Sequence, residues 1–298
     1  MDRDSQAAAC RGLRVYCVTV AAACCALLPA AASCRALPKD HSSRPAVDVQ
    51  KLIRNAAWNQ IASMKNHARA YKYVHQEVTS GSKETTLEVE TPAGMVSRLI
   101  EVDGHPPSEK RCRRNLDRLD RIASSPRLQR SRLKDQQSET SRREQLFQAI
   151  PEAFIFTYAG TDKSTGWVEV NYRPNPAFHP RNRVGGVLTG LAGVMWVDPS
   201  SEHLVKIDGR VVNPVTFGWG ILAKLYPGGR YQMEQQRLPD GGWKLAKLEV
   251  HLHGTMLVIK KLNVNMTEIY KSYQDVGSRL TLPAAVEMLK RVRVKCGE

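Results

Sequence analysis

Residues 230–253 read RYQMEQQRLPDGGWKLAKLEVHLH, two strand-patterned runs around the turn Pro239-Asp240-Gly241-Gly242. In the second run Ala246, Leu248, Val250 and Leu252 share one face, and Glu249, His251 and His253 share the other. That period of two marks a strand with one buried and one wet face. Met256–Met266 continues as a further strand. A single hairpin is marginal in water, so this apolar face needs further strands or a helix against it.

Working outward, the same signal recurs over most of the chain. Tyr71–Thr79, Thr85–Glu90 and Met95–Val102 read as a three-stranded meander, broken at Gly81 and at Pro92-Ala93-Gly94. Further on, Phe154–Tyr158, Val168–Tyr172, Val194–Asp198, His203–Ile207 and Arg210–Val212 alternate, with Asp208-Gly209 as the hairpin signal between the last two. About ten strands result, mostly hairpin-linked. Helical spacing is confined to three places. Ala46–Met64 has an amphipathic face of Val47, Leu52, Ile53, Ala56, Ala57, Ile61 and Met64. Pro106–Ile150 is charge-dense and split by Pro126, with Ser108 as N-cap and Cys112, Leu116, Leu119 and Ala123 in register, and with too few large apolar residues to build a core of its own it reads as an excursion peripheral to the sheet. Ala284–Val292, after Thr281-Leu282-Pro283, is a short helix or a frayed basic tail. The fold class is therefore α+β: a large curved antiparallel sheet with an N-terminal helix and a helical insertion.

The first 33 residues set the compartment. Arg3, Arg11 and Arg14 precede the apolar Val15–Leu28, then Pro29 and Ala30-Ala31-Ala32-Ser33, the layout of a cleaved secretory signal. The apolar stretch is shorter than a membrane span needs. The expected location is the periplasm, with lipid anchoring at Cys34 as the alternative, although a lipobox normally carries a Leu where this chain has Ala31. Domain limits follow: 1–33 signal, 45–280 the sheet domain including the basic helical excursion 106–150, and 281–298 the C-terminal piece. Of seven Cys, four precede Pro29, and Cys112 and Cys296 either pair or stay as two thiols. The chain carries 44 basic and 29 acidic residues, net +15. For an exported protein that balance points to anionic lipid headgroups or acidic polysaccharide, and no nucleic-acid-binding signature accompanies it.

Catalytic motifs are absent from the sequence. It has no G-x-S-x-G elbow, and the glycines within Arg183–Gly193 lack phosphate-loop or dinucleotide spacing. Glu249, His251 and His253 share a face as metal ligands could, but they read as ordinary exposed residues without a further ligand. No catalytic residue, cofactor or metal is assigned. The distinctive run is Phe217-Gly218-Trp219-Gly220-Ile221-Leu222-Ala223-Lys224-Leu225-Tyr226, a short apolar, helix-like piece among glycines. Either it plugs the core or it borders a cavity on the concave side of the sheet. Trp196, Phe217, Trp219, Leu222, Leu225 and Tyr226 are its candidate wall.

Three segments carry a family likeness: Pro151-Glu152-Ala153-Phe154-Ile155-Phe156-Thr157-Tyr158-Ala159-Gly160, Gly193-Val194-Met195-Trp196-Val197-Asp198 and Phe217-Gly218-Trp219-Gly220. With the order of elements, they resemble the LolA-like exported bacterial proteins, the outer-membrane lipoprotein-sorting superfamily, over roughly residues 45–275. The resemblance implies an unclosed half-barrel whose helix-covered concave face accepts acyl chains, and a lipid or acylated lipoprotein as partner. The carriers' gating Arg has no motif here by which to place it. The expectation is a non-catalytic lipid- or lipoprotein-binding protein that also meets an anionic membrane surface. The competing readings are an envelope sensor or scaffold module on the same fold and, more remotely, an exported hydrolase.

Overall fold

The computed structural model describes residues 47–66, 69–217, 223–256, 260–278 and 280–297. The signal segment and Cys34 lie outside them. Helix α1 spans Val49–Lys65, with Asp48 as N-cap accepting from the Lys51 N–H at 2.9 Å. The meander follows as β1 (Tyr71–Thr79), β2 (Ser82–Val89) and β3 (Val96–Val102). Then come α2 (Glu109–Ser124) and α3 (Pro126–Ala153), with Pro126 in the first turn of α3 and Ser125 as its N-cap. Strands β4 (Phe154–Thr161) and β5 (Val168–Pro174) lead through a short helical stretch over residues 183–190 to β6 (Leu191–Asp198) and β7 (His203–Val211). The chain continues with β8 (Val215–Phe217), β9 (Ala223–Leu225), β10 (Arg230–Arg237), β11 (Trp243–Met256) and β12 (Lys260–Asp275), and α4 spans Leu282–Lys290.

These twelve strands form one antiparallel sheet in the order β3-β2-β1-β12-β11-β10-β7-β6-β5-β4. Strand β9 pairs with the far end of β11, and β8 pairs with β9. β3 and β4 are not hydrogen-bonded to each other, so the sheet is an unclosed, curved half-barrel with helices added. Helices α1 and α3 cover one face. Leu52, Ile53 and Ala56 of α1 and Leu146, Ile150 and Ala153 of α3 pack there against Met195, Val197, Tyr231, Leu248 and Val250. Met266, Glu268 and Tyr270 of β12, and Tyr73 and His75 of β1, belong to this same face by strand alternation and register.

Among the described residues, the opposite face is covered by helices at the β2–β3 end. Leu87, Val89 and Val96 meet Leu119 and Ile122 of α2 and Leu282, Ala285, Val286 and Leu289 of α4 there. Arg98, 9% exposed, donates to the Leu289 and Lys290 carbonyls at 2.7 and 2.8 Å, satisfying the orphan end of α4. A Cys112–Cys296 disulfide ties α2 to the chain end beyond α4.

Three readings of the sequence need correcting, and one open alternative is decided. The 106–150 hairpin is no peripheral excursion, because α2 builds one core cluster and α3 ends in the other. Of the two readings of the C-terminal piece, the short helix is the one formed: Leu282–Lys290 docks with Ala285, Val286 and Leu289 fully buried. Asp208-Gly209 is not a turn. Both residues lie inside β7, paired with Val194 and Gly193 on one side and with Gln232 and Tyr231 on the other. Glycine serves close approach here: a side chain at Gly193 would collide with the Asp208 carbonyl. Finally, Ala223–Leu225 is a strand instead of a helical piece, because β11 extends past β10 and offers Gly254–Met256 as a free edge. Among the described residues no helix is long and apolar enough to cross a membrane.

Candidate ligand-binding site

Among the expected wall residues that are described, Trp196, Leu225 and Tyr226, the structure does not bring Trp196 and Leu225 to one face. Trp196 lies on the sheet face opposite α1 and α3, since its neighbours Met195 and Val197 point into the main core. There it is half-buried, with the Lys206 ammonium 5.4 Å from its ring. Leu225 is 4% exposed and sits in the main core, on the other side of the sheet. Tyr226 is half-buried beside His253, and its hydroxyl lies 3.3 Å from that of Thr255. Trp219 and Leu222 lie outside the described residues, as does the side chain of Phe217.

A groove of ≈ 760 Å³ lies instead at the β4 edge, where the half-barrel fails to close. Phe154 and Phe156 point into it from β4, with Phe178 from the loop after β5, and Gln50 of α1, His179 and Arg181 complete its rim. Phe154 and Phe156 meet edge to face at 6.1 Å. Local hydrogen bonds fix the loop. Asn175 binds the carbonyls of Ala153 and Glu152 through its N–H and side-chain amide, both at 2.9 Å, and the Phe178 N–H donates to the Asn175 carbonyl at 3.0 Å. Phe156 and Phe178 stay half-buried, so the rings form a wall open to a ligand. The phenylalanine wall with Arg181 and His179 beside it, and Glu152 also on the lining, suits an amphiphile whose head group meets Arg181.

On the outer face a second groove of ≈ 340 Å³ runs over Ile155, Val194 and Trp196. Arg173, Arg210 and Arg230 border it. Arg210 stands directly opposite Arg230, so two guanidinium groups face each other across β7 and β10. Like charges so placed repel. Asp208 partly compensates, accepting from Arg230 Nη2 and Gln232 Nε2, both at 2.7 Å. Burial alone raises the Asp208 carboxyl, but the hydrogen bonds from Arg230 and Gln232 outweigh it and hold the group below its ordinary range. Among the described residues no carboxylate lies within ion-pair distance of Arg173 or Arg210.

A third cluster lies on the helix-covered face between β1, β2 and β12. His75 is 7% exposed, its Nδ1 is 3.3 Å from Glu88 Oε1, and Tyr270 stacks on its ring at 4.6 Å. Burial alone lowers the imidazole, yet the hydrogen bond to Glu88 and the charges of Glu88, Glu268 and Glu77 leave it above its ordinary value. Burial also pushes the Tyr73 and Tyr270 hydroxyls well up, so both stay protonated donors. Glu249 and His251, the pair with metal-like spacing, form an exposed contact at 3.0 Å on the outer face. The residues that sequence reasoning missed are Phe178, whose loop carries no periodic signal, and His75, whose neighbours come from distant strands.

No protein-family model matches the chain, and no curated protein matches it. Among solved structures, a DUF1329 family protein from Desulfovibrio piger ATCC 29098 is similar at 10% identity, covering 76% of this chain and 92% of that one with a TM-score of 0.27.

Proposed function

We propose that the chain is a non-catalytic envelope protein that binds a lipid, or the acyl chain of a lipoprotein, at the open edge of its half-barrel. The edge groove carries this reading. At ≈ 760 Å³ it falls within the span of small-molecule pockets, with three phenylalanines for a chain and His179 and Arg181 for an anionic head. The arginine row on the outer face supports contact with an anionic membrane surface. Export is supported by the leader pattern in residues 1–33 and by the Cys112–Cys296 bond, which persists in oxidising compartments. The LolA-like segments support a carrier or a relative of one.

The test is mass spectrometry of lipid extracted from protein purified from the periplasm, with parent and Phe178→Ser compared. Stoichiometric lipid in the parent and about tenfold less in the variant, with the unfolding transition kept, is the expected result. A parent that carries no lipid and does not bind an added fluorescent fatty acid would overturn the reading. The scaffold reading would then stand, and one observation favours it: the face under α1 and α3 is filled by the protein's own side chains.

A further inference from the structure

We propose that His75, Glu77 and Glu268 form a binding site for one divalent transition-metal ion of the zinc or manganese class. His75 and Glu77 are two apart on β1 and share the covered face, while Glu268 of β12 stands directly opposite Glu77. One donor atom from each lies within 4.8 Å of the others.

The imidazole supplies the independent sign of a ligand. His75 Nε2 is buried and has no hydrogen-bond partner. Its nearest acidic oxygen, Glu268 Oε1, is 3.8 Å away, too far for a hydrogen bond. If the ring were merely an imidazolium held by carboxylates, that N–H would be left unsatisfied in the interior, which is costly. With a cation at Nε2 the ring would be neutral, its Nδ1 facing Glu88 Oε1 at 3.3 Å and its Nε2 lone pair turned toward Glu268.

The surrounding hydrogen bonds fit that assignment. Glu88 accepts from His75, from the Tyr73 hydroxyl at 3.0 Å and from the Thr86 hydroxyl at 3.2 Å, which fixes the ring orientation as carboxylates behind metal-bound histidines do. The Tyr270 hydroxyl donates to Glu268 Oε2 at 2.5 Å, leaving Oε1 on the His75 side as the donor. One imidazole and two carboxylates without thiolate suit zinc, manganese or ferrous iron, whereas the nitrogen donor disfavours calcium and magnesium. Glu77 is half-buried, so the site has an approach from solvent.

The experiment uses the full chain, stripped with chelator and titrated with Zn²⁺ or Mn²⁺ alone by calorimetry, alongside Glu77→Gln, Glu268→Gln and the surface control His251→Gln. The expected result is one ion per chain. Affinity should fall at least about tenfold in both Glu variants, stay unchanged in His251→Gln, and a metal-dependent rise in Tm should be lost only in the Glu variants. Absence of binding to the parent, or binding lost in His251→Gln and kept in Glu77→Gln, would overturn the assignment. Glu77→Gln, at a half-buried position, keeps the test decisive even if Glu268→Gln folds poorly.

Discussion

Truncating Leu119 to Ala measures whether the basic hairpin is part of the fold. Leu119 is fully buried on α2, against Val89 and Val96 of the sheet and the apolar face of α4. Removing a buried leucine's outer carbons loses their transfer energy and leaves a cavity, together about 2–5 kcal/mol. This pocket is walled by two sheet strands and by α4, which Arg98 and the disulfide both help to hold, so it has little freedom to collapse. The upper half of the range is expected. Leu128, on α3 and 37% exposed, is the control, and its truncation should stay within about 0.5 kcal/mol. Urea unfolding followed by far-ultraviolet circular dichroism gives both values, with the m-value checked for a change of mechanism. If Leu119→Ala costs less than about 1 kcal/mol, or no more than Leu128→Ala, the second core contributes no stability and the hairpin is an appendage after all.

Two further outcomes follow from the same structure. Cys296→Ser should lower stability by about 2–4 kcal/mol, and added reductant should lower the parent equally while leaving the variant unchanged; equal parent stability with and without reductant would contradict a structural bond. Binding of the parent to anionic vesicles should weaken as salt rises, and Arg210→Glu should weaken it by about 1 kcal/mol per unit of charge removed, whereas salt-independent binding would count against the arginine row as the contact.

What the sequence shows and hides divides along a physical line. Period-two alternation exposed the strands, because it is local. The 106–150 hairpin reads as a solvated excursion because its apolar residues are few. Apart from the exposed Leu128 and Leu133, the large ones lie at interfaces, Leu119 and Ile122 in one cluster and Leu146 and Ile150 in the other. A charge-dense helix can pack this way when its long side chains reach polar groups at the rim, as Arg132 does in donating to the Met95 carbonyl at 2.6 Å. Asp208-Gly209 misled for a related reason: the dipeptide that closes a hairpin also suits a strand whose neighbour must come close.

The same limit governs the candidate metal site. The chain holds two strand segments in which a histidine and a glutamate are two residues apart, Glu249 with His251 and His75 with Glu77. Locally they are equivalent. Pairing distinguishes them: Glu249 and His251 stand opposite Thr267 and Asn265 on the outer face, where water satisfies them, whereas His75 and Glu77 stand opposite Tyr270 and Glu268 beneath the covered face. Both pairs use the same strand, β12, and residues on its two faces decide the outcome. A carboxylate added to the wet side would be screened by solvent, but Glu268 on the buried side must be compensated within the protein or by a cation. The β1–β12 register sets that difference, across nearly the whole length of the domain, and no local window of sequence contains it.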